Sequence, residues 1–175
     1  MAAISSLRSQ RLRESQSDIA KQYVAFRLRI AWFALPIEFI YRIIALEKQV
    51  PKITFSGNNI PIVDLGKLLF GQNKGQSNDI QQLVVNGAVV ASKPSLIVVR
   101  NQTDDLVGIL SNSQPAMQSI SQEQIVPLPA TYSHRWKIDF INSMTIPSPE
   151  RPSLFVIDSD RFVSAVLKKS SSNSN

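Results

Sequence analysis

Thirteen carboxylates, one histidine and no cysteine are the groups from which this chain could build a reactive site. Without Cys there are no disulfides, no thiolate nucleophile and no Cys-ligated zinc. The one histidine, His134, stands in Ser133-His134-Arg135, which reads as a polar loop. No partner motif accompanies it, so it reads as a surface residue rather than a general base. A zinc site would have to draw mostly on carboxylates, and no His/Asp/Glu cluster with ligand spacing occurs. Asp104-Asp105 fits a hairpin tip. Asp64 and Asp158 each follow a short apolar run and precede a helical pattern. A carboxylate there accepts from free backbone N–H groups, so both read as helix caps rather than a catalytic pair. No Gly-rich phosphate-binding pattern is present. No catalytic residue, metal or cofactor is expected.

Charge is the next source of function. The chain has 175 residues and a net charge of +6, and 43% of it is hydrophobic, enough to build a core. The excess sits at the ends: residues 1–29 carry six Arg/Lys against Glu14 and Asp18, residues 30–166 carry eleven of each sign, and Lys168 and Lys169 complete the count. A sequence-independent nucleic-acid binder displaces counterions with a basic face on its body. Here the body is neutral, so solubilising ends are the first reading and no nucleic-acid partner is expected. The alternative is a small β-barrel that binds nucleic acid through the basic arm at residues 8–29. Residues 32–46 are interrupted by Glu38 and Arg42, so no membrane insertion is expected.

The elements that would position a surface centre on residues 60–71. Ile60, Pro61, Ile62 and Val63 read as a strand, with Pro61 at a start, edge or bulge. Asp64 then caps a short helix with Leu65, Leu68 and Leu69 on one face, and Gly71 suits a left-handed end. Residues 53–63 read as a hairpin about Ser56-Gly57-Asn58-Asn59. Upstream, Val24, Phe26, Leu28, Ile30 and Trp32 alternate with Ala25, Arg27, Arg29 and Ala31, which predicts one long half-buried strand with its arginines outward. Pro36 opens a short helix with Ile37, Ile40, Tyr41 and Ile44 on one face.

Residues 72–94 are an insertion, a polar loop over 72–82 followed by an apolar hairpin, Leu83-Val84-Val85 and Ala88-Val89-Val90 about Asn86-Gly87. Residues 95–100 and 106–110 form another, and Gly108 in its second strand signals a bulge or a close backbone approach. Trp136, Ile138, Phe140 and Met144 fall in a strand region. Residues 154–157 form a strand, and Asp158 caps a final helix through Leu167. Residues 1–22 read as a flexible basic arm, 23–167 as the body and 168–175 as a disordered tail. Ile62-Val63-Asp64 and Val156-Ile157-Asp158 are echoes, each a strand, an Asp and a helix. Two such units among many short strands predict a mainly β fold of two similar small barrels.

Several stretches resemble, in order, the CheW-like domain, the adaptor fold of bacterial chemosensory arrays. They are residues 26–32; Ala34-Leu35-Pro36-Ile37 with Ile40 and Ile43; and Gly57 followed by Ile60-Pro61-Ile62-Val63-Asp64-Leu65. Ile97-Val98-Val99, Val107-Gly108-Ile109-Leu110, residues 120–129 and residues 154–158 complete the set. The resemblance covers about residues 22–167. It implies two small five-stranded SH3-like β-barrels around a shared core, with short helices. It also implies a non-enzymatic, cytoplasmic adaptor that couples receptors to a histidine kinase. The implied partners are the regulatory domain of a CheA-type histidine kinase, docked on one barrel's exposed strands, and the tip of a methyl-accepting chemoreceptor, received between the barrels. The implied surface residues are Ser56, Gly57, Pro61, Asp64, Gly108 and Asn112. Ser56 stands where the family has Arg, and Asn112 stands near a place where it has Asp.

Overall fold

The computed structural model describes residues 19–46, 54–55, 57–71, 83–85, 88–90 and 93–172. Where alternation predicts one long strand, the chain makes a hairpin, β1 (Ala20–Leu28) and β2 (Ala31–Pro36). Arg29 turns the corner with φ 54°, a conformation that costs a non-glycine residue about 1–2 kcal/mol. Its own contacts offset that cost. Arg27 Nε donates to the Arg29 carbonyl at 2.6 Å, and Arg29 Nη2 donates to the Gly71 carbonyl at 2.9 Å. The turn is therefore held by tertiary contacts, with no Gly or Asn to announce it. Strand β1 begins at Ala20, so residues 20–22 belong to the body and not to the arm.

The next elements are β3 (Ile40–Ala45), β4 (Thr54–Phe55), β5 (Asn58–Asn59), β6 (Ile62–Val63) and helix α1 (Leu65–Phe70). Strands β7 (Leu83–Val85) and β8 (Ala88–Val90) pair with each other, as the inserted hairpin predicts. Then come β9 (Ser95–Arg100), β10 (Leu106–Ser111), β11 (Ala116–Ser121), β12 (Ile125–Pro127) and α2 (Ala130–Trp136). Strands β13 (Ile141–Thr145) and β14 (Leu154–Ile157) and helix α3 (Ser159–Ser172) complete the chain. The architecture is mainly β with short helices and SH3-like barrel character. The main strands divide into a six-stranded sheet, β11-β1-β2-β14-β13-β12, and a four-stranded sheet, β3-β9-β10-β6, rather than five and five.

Each sheet is built on a hairpin, β1–β2 or β9–β10, and each hairpin passes its next strand to the other sheet. Strand β3 follows β2 but pairs with β9, and β11 follows β10 but pairs with β1. Two parallel pairs then complete the pattern, β6 with β10 and β14 with β2. The central strands are buried on both faces, while the edge strands β3 and β11 stay largely exposed. A large core lies between the sheets, with Phe26, Phe33, Ile97, Val107, Phe155 and Phe162 in it. A second cluster, with Ala25, Ala34 and Val156, backs the six-stranded sheet, and a third, with Leu96, Val98 and Leu106, backs the four-stranded one. This is why β1 is buried on both faces and Ala25 is not at the surface.

Other expectations are corrected in the same way. Residues 37–44 are not a helix: a single 3-10 turn at Ile37–Phe39 leads into β3. Ile40, Ile43 and Ile44 are β-branched, and pairing with β9 outweighs the helical spacing. The hairpin in residues 53–63 is only β4 with β5, and β6 leaves it to join β10. Leu65 and Leu69 are buried in α1, whereas Leu68 points away from that face. His134 and Trp136 lie on helix α2, not in a loop and a strand. Helix α3 continues to Ser172, so 168–172 is helical where a disordered tail is predicted; the hydroxyls of Ser170, Ser171 and Ser172 donate to carbonyls four residues back.

Candidate functional site

Three of the six anticipated surface residues meet at the edge of the four-stranded sheet. The Gly108 N–H donates to the Pro61 carbonyl at 2.8 Å and leads into the two-residue parallel ladder of β6 on β10. Gly108 is buried there, and a Cβ on it would stand 3.0 Å from Leu96 Cδ1 and 3.2 Å from Ile62 Cγ1. The glycine therefore marks a close approach of β6 and β9 side chains, with no bulge in the β9–β10 register. Asp64 follows β6 and caps α1: its Oδ1 accepts from Lys67 N at 2.9 Å, and Oδ2 lies 3.4 Å from Lys67 Nζ.

The others are dispersed. Gly57 is an exposed turn residue between β4 and β5 with φ 80°, and nothing lies within 4 Å of its absent Cβ. Asn112 follows β10 and is exposed; its N–H donates to the Arg27 carbonyl at 3.3 Å. Ser111 Oγ donates to the same carbonyl, and Ser113 Oγ accepts from Arg27 N at 2.9 Å. That knot ties β10 to β1 where the chain crosses between sheets. Ser56 lies outside the described residues.

Two features escape a reading of the sequence. Arg29, anticipated as outward-facing, lies on α1, with its guanidinium carbon 5.7 Å from the centre of the Phe70 ring. The second feature is the exposed apolar side chains on two of the four edge strands of the main sheets, β3 and β11. Among the described strands, β3 pairs only with β9 and β11 pairs only with β1. Ile37 (39% exposed), Tyr41 (47%) and Ile43 (43%) run along the β3 edge, and Met117 (63%) stands on β11. Edge strands with apolar side chains are natural docking rails for another chain. The signal in the sequence was the β-branched density of 40–44, masked by its helical spacing.

Lys67, Arg100 and Arg161 face Asp64, Asp104 and Asp158 at 3.4, 3.8 and 3.5 Å. Among the described residues, no group of His, Cys, Asp and Glu could hold a metal ion, and no helix is long and apolar enough to cross a membrane. Tyr23 has its phenol pushed up by burial, with the charge of Glu38 adding to the shift. Tyr23 stands opposite Pro36 in the β1–β2 register, so the Ile37–Phe39 turn begins beside β1 and leads into β3.

A family model described as the CheW-like domain matches residues 22–166. Among solved structures, the scaffolding protein TtCheW from Thermoanaerobacter tengcongensis is similar, with a TM-score of 0.53 and 18% sequence identity over 79% of this chain and 84% of that one. At that identity the likeness is one of fold. No curated protein matches the chain.

Proposed function

The chain belongs to the CheW-like domain family, and we propose that it is a non-enzymatic, cytoplasmic adaptor of a chemotaxis-type pathway, coupling receptors to a CheA-type histidine kinase. The observation that supports this reading is the apolar open edge of β3 in a fold of SH3-like barrel character. The β3 edge, with Ile37, Tyr41 and Ile43, is the rail for the kinase regulatory domain. Gly57 shapes the β4–β5 hairpin, and Pro61, Asp64 and Gly108 shape the opposite edge of the β3 sheet, at β6 and β10. Asn112, with the Arg27 knot, fixes the crossing between the barrels, and the receptor tip is received between them.

The test is direct titration of the full chain with the regulatory domain of a CheA-type kinase. Binding is expected, weakened at least about tenfold by Ile43→Asp and little changed by Met117→Asp, because a buried interface charge without a partner costs well over a kcal/mol. Binding that ignores Ile43→Asp moves the rail elsewhere. No binding under conditions where another CheW-like protein binds would overturn the coupling itself.

A further inference from the structure

We propose that β6 and α1 form a flap that opens as one unit, and that Arg29 is the clasp that holds it shut. The proposal stands on the contacts of the flap alone and does not depend on what the adaptor binds. Strand β6 contributes two residues, both half-buried, paired on one side only. Helix α1 has six residues and buries Leu65, Gly66 and Leu69. A helix that short has no stability of its own, so its position depends on tertiary contacts.

Leu65 and Leu69 supply part of those contacts by entering the main core, and Arg29 adds the polar ones from the opposite sheet. It sits in the β1–β2 turn and reaches along the whole helix. Its Nη2 donates to the Gly71 carbonyl at 2.9 Å, at the end of α1 where a cation also suits the helix dipole. Its guanidinium covers the Phe70 ring at 5.7 Å. Its stem lies beside Gly66, where an added Cβ would be 3.8 Å from Nε and 3.9 Å from Cγ. The turn that carries it is itself fixed, by Arg27 Nε on the Arg29 carbonyl at 2.6 Å. One side chain thus spans three residues of the flap. Opening the flap uncovers the edge of β10 at Gly108 and Ile109, the place where β6 now pairs.

Hydrogen exchange on the full chain, comparing wild type with Arg29→Ala, tests the clasp. Amides of residues 62–71 are expected to exchange about tenfold faster, the effect of losing a charged hydrogen bond and a cation–π contact together. Amides of β9 and β14 are expected to keep their protection. Arg29→Lys, which keeps the charge but loses the planar group, is expected to fall between the two at about threefold. It also serves if Arg29→Ala does not fold. Unchanged exchange over residues 62–71, or an equal acceleration in β9 and β14, overturns the proposal.

Discussion

The two strand–Asp–helix units obey one local rule and carry different weights. In both, the Asp carboxylate accepts from the backbone N–H three residues on, at 2.9 Å for Asp64 and 3.1 Å for Asp158. In both, the Asp carbonyl takes the first helical bond, from Leu68 and from Phe162. Each Asp also faces a cation at the same spacing, Lys67 or Arg161. Both strands lie parallel to the second strand of a hairpin. Yet β14 has four residues and a neighbour on each side, while β6 has two residues and one neighbour. Helix α3 has 14 residues and sinks Phe162, Val163 and Val166 into the shared core; α1 has six, gives that core only Leu65 and Leu69, and is also held by Arg29. Capping chemistry is the same wherever it occurs, whereas stability scales with what the capped helix covers.

The largest expected effect separates the units through their cores. Phe162→Ala is expected to destabilise the protein by about 3–5 kcal/mol, and Leu65→Ala by about 2–3 kcal/mol because a short edge helix can settle into the space. Urea denaturation measures both, and equal losses would break the comparison. Gly108→Ala is next, at about 1–3 kcal/mol, since the new methyl collides with Leu96 and Ile62. Its damage is expected to show in the amides of β6 and to spare β14, as hydrogen exchange will report.

Smaller effects sharpen the likeness instead. Asp64→Ala and Asp158→Ala are each expected to cost about 1 kcal/mol, because both lose the same cap. A clear inequality in their denaturation midpoints would show that tertiary context reaches even the caps. The smallest effect lies at the β9–β10 turn, which α3 holds through Asp160 accepting from Gln102 N at 2.8 Å. There Asp105 is held below the usual carboxylate range by hydrogen bonds from Thr103 and then Asn101. Its pKa is depressed in the folded chain. Its contribution is therefore present above the unfolded value and lost as pH falls through the lower folded one, below roughly pH 4. Thr103→Val is expected to move the Asp105 titration upward, observable by NMR.

The caps, the short hairpins and the two echoing units were readable from residues because each depends on neighbours within a few positions. Asp64 before Leu65, Asp158 before Ser159, and Asn101 to Asp105 between apolar runs all state their structure locally. The readings that failed share a cause. Residues 37–44 have helical spacing but become β3 because β9 offers a pairing partner. Arg29 looks like an outward strand residue but turns the chain because Gly71 and Phe70 are there to receive it. Trp136 reads as a strand residue, yet it lies on α2 in contact with Phe33, Phe70 and Phe155.

The site divides along the same line. Gly108 could be recognised as a place of close approach, since a glycine inside an apolar strand has few other uses. That Pro61 is the group it meets, and that Asn112 lies instead beside Arg27, followed only from the folded chain. Residue types and short-range spacing determined a mainly β protein with two Asp-capped units. Which strand passes to which sheet, and so which edges stay open, was decided by pairings across the chain, such as β1 with β11 and β3 with β9. Such pairings are chosen by burial on both faces at once, a quantity that no short window of sequence contains.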